Sequence, residues 1–193
     1  MGKESIKKNE VIFEIRRQIF HMIVGLSLGL FLLMYGKTAS IVFFSVMILL
    51  GLYIKHKVEK KNYVKIISGL LDIFEREKDS SNPGKGAMYL LIGSALAVIL
   101  FELVPAFYGI LVISLSDAFS TIVGKAFGRK RSWNKSILGS FTFFITTYAI
   151  LLVPYGLYYS FFVAVLASFA EALPKLNDNI IIPVFVGFLL QIV

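Results

Sequence analysis

The 193-residue chain contains no cysteine. That excludes a disulfide framework, a thiolate metal centre and a thiol nucleophile. Charge is also scarce: 17% of residues are Asp, Glu, Lys or Arg, against about 25% in ordinary soluble domains. No G-x-x-x-x-G-K-[ST] run occurs, so there is no Walker-type phosphate loop. No internal repeat is visible. In place of the missing charge, 57% of the residues are hydrophobic and the mean hydropathy is +0.78. A soluble fold of this size would leave much of that apolar surface in water and aggregate, which argues against a soluble enzyme and for a bilayer.

A bilayer core takes roughly 20 apolar residues as helix. Seven stretches qualify, at about 18–35, 39–55, 86–104, 106–124, 137–153, 157–173 and 180–193. Breaks are expected at Gly36-Lys37, through the charged stretch 55–85, at Pro105, through the basic run 125–136, and at Pro154 and Pro174. Pro183 falls early in the last stretch, where a missing N–H costs little. The expected fold is therefore all-α: a multi-pass transmembrane bundle of about seven spans in a single domain, 1–193. With the N-terminus in the cytoplasm, nineteen of the twenty Lys and Arg residues lie on the inside and only Lys37 lies outside. The positive-inside rule thus accounts for the net charge of +8, and no nucleic-acid partner is needed. The first apolar stretch follows Arg16-Arg17 and has no small-residue cleavage site, so it reads as a retained span of a cell-membrane protein. Within 55–85, Tyr63, Ile66, Ile67, Leu70, Leu71 and Phe74 recur at helical spacing. They predict a cytoplasmic amphipathic helix, lying in the headgroup region or packed on the spans.

Ionisable residues at membrane depth are costly, and they mark function by default. Four sets fall near the inner face. Asp117, Ser120, Thr121 and Gly124 share one helical face, followed by Lys125, Gly128 and Arg129. A carboxylate just inside the interface, ahead of a glycine-punctuated basic loop, suits a Mg²⁺-bound polyphosphate. Next, Ser136 is placed to N-cap the fifth span after Asn134 and Lys135, making an anion site at a helix N-terminus. Third, Glu171 ends the sixth span, and Asp178 and Asn179 precede the seventh; with Asp117 they can supply two or three carboxylates to one metal. Fourth, Lys85 follows the turn Pro83-Gly84. Separately, Glu14, Arg17, Gln18 and His21 share a face entering the first span. His21 there suits three roles: orienting a hydroxyl or phosphate, acting as a base, or bonding between helices.

These motifs, in this order, resemble the polyprenol kinase family of membrane enzymes: dolichol kinases, phytol kinases and CTP-dependent diacylglycerol kinases, distant relatives of the phosphatidate cytidylyltransferases. The resemblance covers nearly the whole chain. It rests on Glu14-x-x-Arg17-x-x-x-His21, Pro83-Gly84-Lys85-Gly86-Ala87, and Asp117 with Gly124-Lys125 and Phe127-Gly128. Asn134-Lys135-Ser136 with Gly139-Ser140, and Ala170-Glu171-Ala172-Leu173-Pro174 with Asp178-Asn179 and Pro183, complete it. Two features depart from the pattern: Ser116 stands where the family usually has glycine, and the long N-terminal extension of eukaryotic dolichol kinases is missing, as expected of a compact prokaryotic member. The resemblance implies transfer of the γ-phosphoryl of CTP to a lipid alcohol, a polyprenol or diacylglycerol, with Mg²⁺. It implies Asp117 as metal ligand with Glu171 and Asp178 as helpers, and Asp117, His21 and Glu171 as the catalytic set. Lys85, Gly124, Lys125, Gly128, Arg129, Asn134, Lys135, Ser136 and Asn179 would contact nucleotide and phosphate. A CDP-lipid-forming cytidylyltransferase is the alternative, and an anion transporter a more remote one.

Overall fold

The computed structural model describes residues 3–59, 84–128, 136–173 and 177–192. The amphipathic stretch expected within 60–83, and Arg129, Asn134 and Lys135 of the basic run, lie outside the described residues. Among those described, the chain is helical without strands: α1 (Lys3–Glu59), α2 (Lys85–Leu100), α3 (Leu103–Val112), a π-helical turn (Ile113–Asp117), α4 (Ala118–Ala126), α5 (Ile137–Tyr155), α6 (Leu157–Ala172) and α7 (Asp178–Gln191). Three stretches are long and apolar enough to cross a membrane, Val11–Lys57, Leu103–Ala126 and Ile137–Tyr155, and three shorter apolar helices accompany them.

The 47 residues of Val11–Lys57 would reach about 70 Å as one straight helix, more than twice a bilayer core. They do not run straight. Gly36 adopts φ 76°, ψ 179° inside α1, and the two arms fold back on each other. Phe31 and Phe43, far apart on a continuous helix, stack with ring centroids 4.3 Å apart. The break expected at Gly36-Lys37 is thus present. Three proline-based expectations are corrected. The chain breaks at Phe101–Glu102, and Pro105 instead sits in the first turn of α3, where its missing N–H would have had no partner. Likewise α5 runs through Pro154 to Tyr155, and the turn falls on Gly156 at φ 74°, ψ 171°. Pro183 is also deeper than expected, in the sixth position of α7. There it cannot bond the Asn179 carbonyl, and that carbonyl lies against Gly93, where any side chain would collide with it.

Close backbone contacts set the register. The first arm of α1 runs antiparallel to α3 and α4: Gly29 meets Phe107 and Ile110, and a side chain at Gly25 would overlap Ser114. Helix α7 runs antiparallel to α3, with Glu102 N donating to Gln191 Oε1 at 2.7 Å and Gly109 against the Pro183 backbone. Helices α4 and α5 touch at Gly124 and Gly139. The resulting bundle has an apolar core that includes Leu32, Phe44, Leu90, Ile110, Phe143 and Val186. One of its ends carries the turns at Gly36 and Gly156, and the other collects the charged residues.

Candidate functional site

At the charged end the first arm of α1 presents a seam with 4-3-4-3-4 spacing: Glu14, Gln18, His21, Gly25, Leu28 and Leu32. Its inner half is apolar and its outer half polar. Glu14 is only 1% exposed. Its Oε1 accepts from Arg17 Nε at 2.8 Å and from the Arg17 Nη2, with Gln18 Nε2 at 3.4 Å. Its Oε2 accepts from Lys125 Nζ on α4. A buried carboxylate is tolerated only when paired in this way, so the contact locks α1 to α4. The sequence placed Glu14, Arg17, Gln18 and His21 on one face; their partner, 111 residues away, carried no local signal.

Two turns deeper, His21 faces the backbone of Ile113, and its buried Nε2 has no hydrogen-bond partner among the described residues. Ile113 opens the π-helical turn that ends at Asp117. Such turns insert one extra residue into a helix and recur at functional sites. Serines favour the widening here. Ser114 Oγ bonds back to the Ile110 carbonyl at 2.6 Å, which bends helices. Thr147 Oγ1 of α5 donates to Ser116 Oγ at 3.0 Å, both residues fully buried. Thus Ser116, the departure from the family's glycine, has a partner, and Thr147 escaped the sequence analysis because it reads as one more residue of an apolar span. Asp117 itself is half-buried, and Ser120 Oγ bonds its carbonyl at 3.2 Å.

Ser136 caps α5 as the sequence predicted, its Oγ accepting from Gly139 N at 2.9 Å. Gly124 and Gly128 surround that hydroxyl so closely that a side chain at either would run into it. Their smallness therefore has a packing account besides the phosphate one. One turn into α5, Ser140 Oγ donates to Glu171 Oε2 of α6 at 3.1 Å. Glu171 is 4% exposed, buried between two helices and not at a wet helix end. At the start of α7, Asn179 Nδ2 donates to the Gly86 carbonyl at 3.1 Å, beside Lys85, whose ammonium lies 5.8 Å from the Tyr89 ring. Asp178 occupies the first turn of α7, where a carboxylate favours the helix dipole. The α3–α7 register sets Asp117 and Asp178 at the same end of the bundle. Among the described residues no group of three Asp, Glu or His side chains converges on one point. Asp117, Glu171 and Asp178 therefore do not form the three-carboxylate metal cage that the sequence allowed. The oxygen-only donor set is still the type that Mg²⁺ prefers, and Mg²⁺ commonly takes one or two carboxylates and completes its shell with substrate phosphates and water.

Fold and site together define a helical bundle of membrane character with a buried polar centre at one end. The chain is 34% identical over 184 residues to the uncharacterized protein MJ1137 of Methanocaldococcus jannaschii, covering 92% of this chain and 93% of that one, and it belongs to the same family. It is also 27% identical to the uncharacterized protein RP860 of Rickettsia prowazekii, over 92% of this chain and 93% of the other. A third relative has a named activity: dolichol kinase sec59 of Schizosaccharomyces pombe, 29% identical over 121 residues, 54% of this chain and 24% of the kinase. No family model matches the chain, and no solved structure matches it.

Proposed function

We propose that this protein is a membrane-bound lipid-alcohol kinase that moves the γ-phosphoryl of a nucleotide, CTP by resemblance, to the hydroxyl of a polyprenol-like or diacylglycerol-like lipid. The similarity to dolichol kinase carries this reading, and the gathering of polar side chains at one end of an apolar bundle supports it. In the same reading the bundle crosses the membrane seven times, counting each arm of α1, with its N-terminus and polar end in the cytoplasm.

Phosphoryl transfer needs positioning and charge neutralisation more than covalent help. The lipid oxygen forms a bond to the γ-phosphorus as the bond to the bridging β–γ oxygen breaks, and the nucleoside diphosphate leaves. Asp117 would hold Mg²⁺, with Glu171 or Asp178 assisting. When bound, the ion neutralises phosphate charge and orients the γ-phosphoryl. Lys125, the Ser136 cap and the basic run through Arg129, Asn134 and Lys135 would hold phosphate oxygens, with Lys85 and Asn179 at the rim. His21 would take the hydroxyl proton at Nε2, an atom that is buried and otherwise unpartnered among the described residues. The apolar sides of the bundle would admit the lipid. An anion carrier would instead want its polar groups near the midplane, in paired halves.

The test is the fate of label from CTP carrying it at the α or the γ phosphate. It is given with Mg²⁺ to the purified chain and a panel of polyprenols, diacylglycerol and phosphatidic acid, with ATP run in parallel. Label from the γ position in the lipid phase is expected. Label from the α position makes the protein a cytidylyltransferase, and label from neither position with either nucleotide removes the enzyme reading.

A further inference from the structure

Glu14 and Arg17 have no part in the transfer chemistry just described, yet Glu14 is more enclosed than Glu171. One carboxylate serves two cations: Arg17 on Oε1 and Lys125 on Oε2. The carboxylate is sealed, its side chain 2% exposed, while the side chains of Arg17 and Lys125 stay 33% and 41% exposed. A guanidinium has five N–H donors, and the two bonds to Oε1 use two of them. Both cations end long flexible stems, which lose rotamer freedom whenever they grip an anion. Tethered to a buried carboxylate, they have lost it already.

From this geometry we propose that Arg17 and Lys125 form a two-cation clamp for the triphosphate of the nucleotide, one jaw on α1 and one on α4. Glu14 is the positioning residue that holds both jaws in place. The inference rests on the nucleotide-dependent reading above and adds to it a phosphate ligand, Arg17, on the first helix.

The full chain in detergent micelles is titrated with inorganic tripolyphosphate and, separately, with CTP, each with Mg²⁺. Affinity is read from ligand-dependent thermal stabilisation. Arg17→Gln is expected to weaken both ligands about tenfold, the loss of one charge-assisted contact. Glu14→Gln is expected to weaken them several-fold even though it removes a negative charge. If Glu14 acted through its charge alone, the same change would tighten polyphosphate by lifting a repulsion. Tightened or unchanged binding in Glu14→Gln therefore overturns the clamp. The exchange Glu14→Lys with Lys125→Glu is expected to recover thermal stability relative to Glu14→Lys alone, yet to bind poorly because the lysine is on the wrong helix. Wild-type binding in the exchange overturns the proposal as well. If Glu14→Gln does not fold, Arg17→Gln decides, since its side chain is a third exposed, and unchanged binding there is fatal. A wild-type chain that binds neither probe removes the nucleotide reading together with the clamp. A wild-type chain that binds and transfers label, with variants that bind as it does, removes the clamp alone.

Discussion

The two ends of the bundle solve opposite problems. At the far end the chain reverses twice on a single glycine, and the two turns are nearly the same: φ 76°, ψ 179° at Gly36 and φ 74°, ψ 171° at Gly156. Four residues after each glycine a buried serine returns a hydrogen bond to a backbone carbonyl, Ser40 to Gly36 at 2.8 Å and Ser160 to Leu151 at 2.7 Å. Lys37 and Glu102 are the charged residues described there. That end is closed by tight backbone turns and by side chains bonded to backbone atoms, Gln191 to Glu102 N among them. At the opposite end the helices are tied by side chains from distant parts of the chain: Glu14 to Lys125, Ser116 to Thr147, Ser140 to Glu171 and Asn179 to Gly86. The turn glycines and the polar side chains available for chemistry thus stand at opposite ends of the helix axis, and substitutions should differ accordingly.

The largest effect belongs to Asp117→Asn. It should retain the fold and lower label transfer about 10²–10³-fold, the usual loss when a transition-state charge contact is removed. A purified variant with near-normal turnover would break the assignment of chemistry to the charged end. Next comes Gly93→Ala, whose new carbon would meet the Asn179 carbonyl and lie 2.8 Å from Ile180 Cα. Forcing α2 and α7 apart should cost about 1–3 kcal/mol, visible as a lowered Tm. Because Asn179 moves with it, nucleotide-dependent stabilisation should fall as well. At the buried Ser116–Thr147 pair, a single Ser116→Ala or Thr147→Val change leaves one hydroxyl unsatisfied. Each single change should cost about 1–3 kcal/mol, while the double change comes out nearer neutral. Strictly additive losses would show that the hydrogen bond adds nothing. The smallest effects on activity are expected at the far end. Gly36→Ala and Gly156→Ala meet no atom within 4 Å, so their cost is the backbone strain of a positive φ with ψ near 180°, about 1–3 kcal/mol of stability. Activity per folded molecule should be unchanged, and a loss of turnover there would erase the distinction between the ends.

The helical architecture was legible because apolar runs and charge placement act over short distances. So were the turn at Gly36, where a glycine ends one apolar run, and the Ser136 cap, which precedes another. Prolines misled at residues 105, 154 and 183. A proline excludes only its own N–H, and a helix tolerates that in its first turn or where a neighbouring backbone accommodates the released carbonyl. In the site, the face holding Glu14, Arg17, Gln18 and His21 followed from helical spacing. Its pairing with Lys125, and that of Glu171 with Ser140, depend on which helices become neighbours, and no local pattern encodes that. The widened turn before Asp117 was hidden for a different reason: Ile113 to Asp117 reads like the rest of an apolar helix until Ser116 is seen against Thr147.

That widened turn makes Asp117 a mechanical joint. Below it, the phase of the helix is fixed by Gly109 on Pro183; above it, by Gly124 on Gly139. An uninterrupted α-helix advances about 100° per residue, so adding or removing one residue between two such anchors throws one of them out of step. The π-helical turn takes up that mismatch. A one-residue deletion within 113–116 should therefore leave a regular α-helix with both glycine contacts still in step, and shift only the residues inside the turn, the carboxylate among them. Where the carboxylate stands would then be decided as much by the spacing of two glycines as by the aspartate itself.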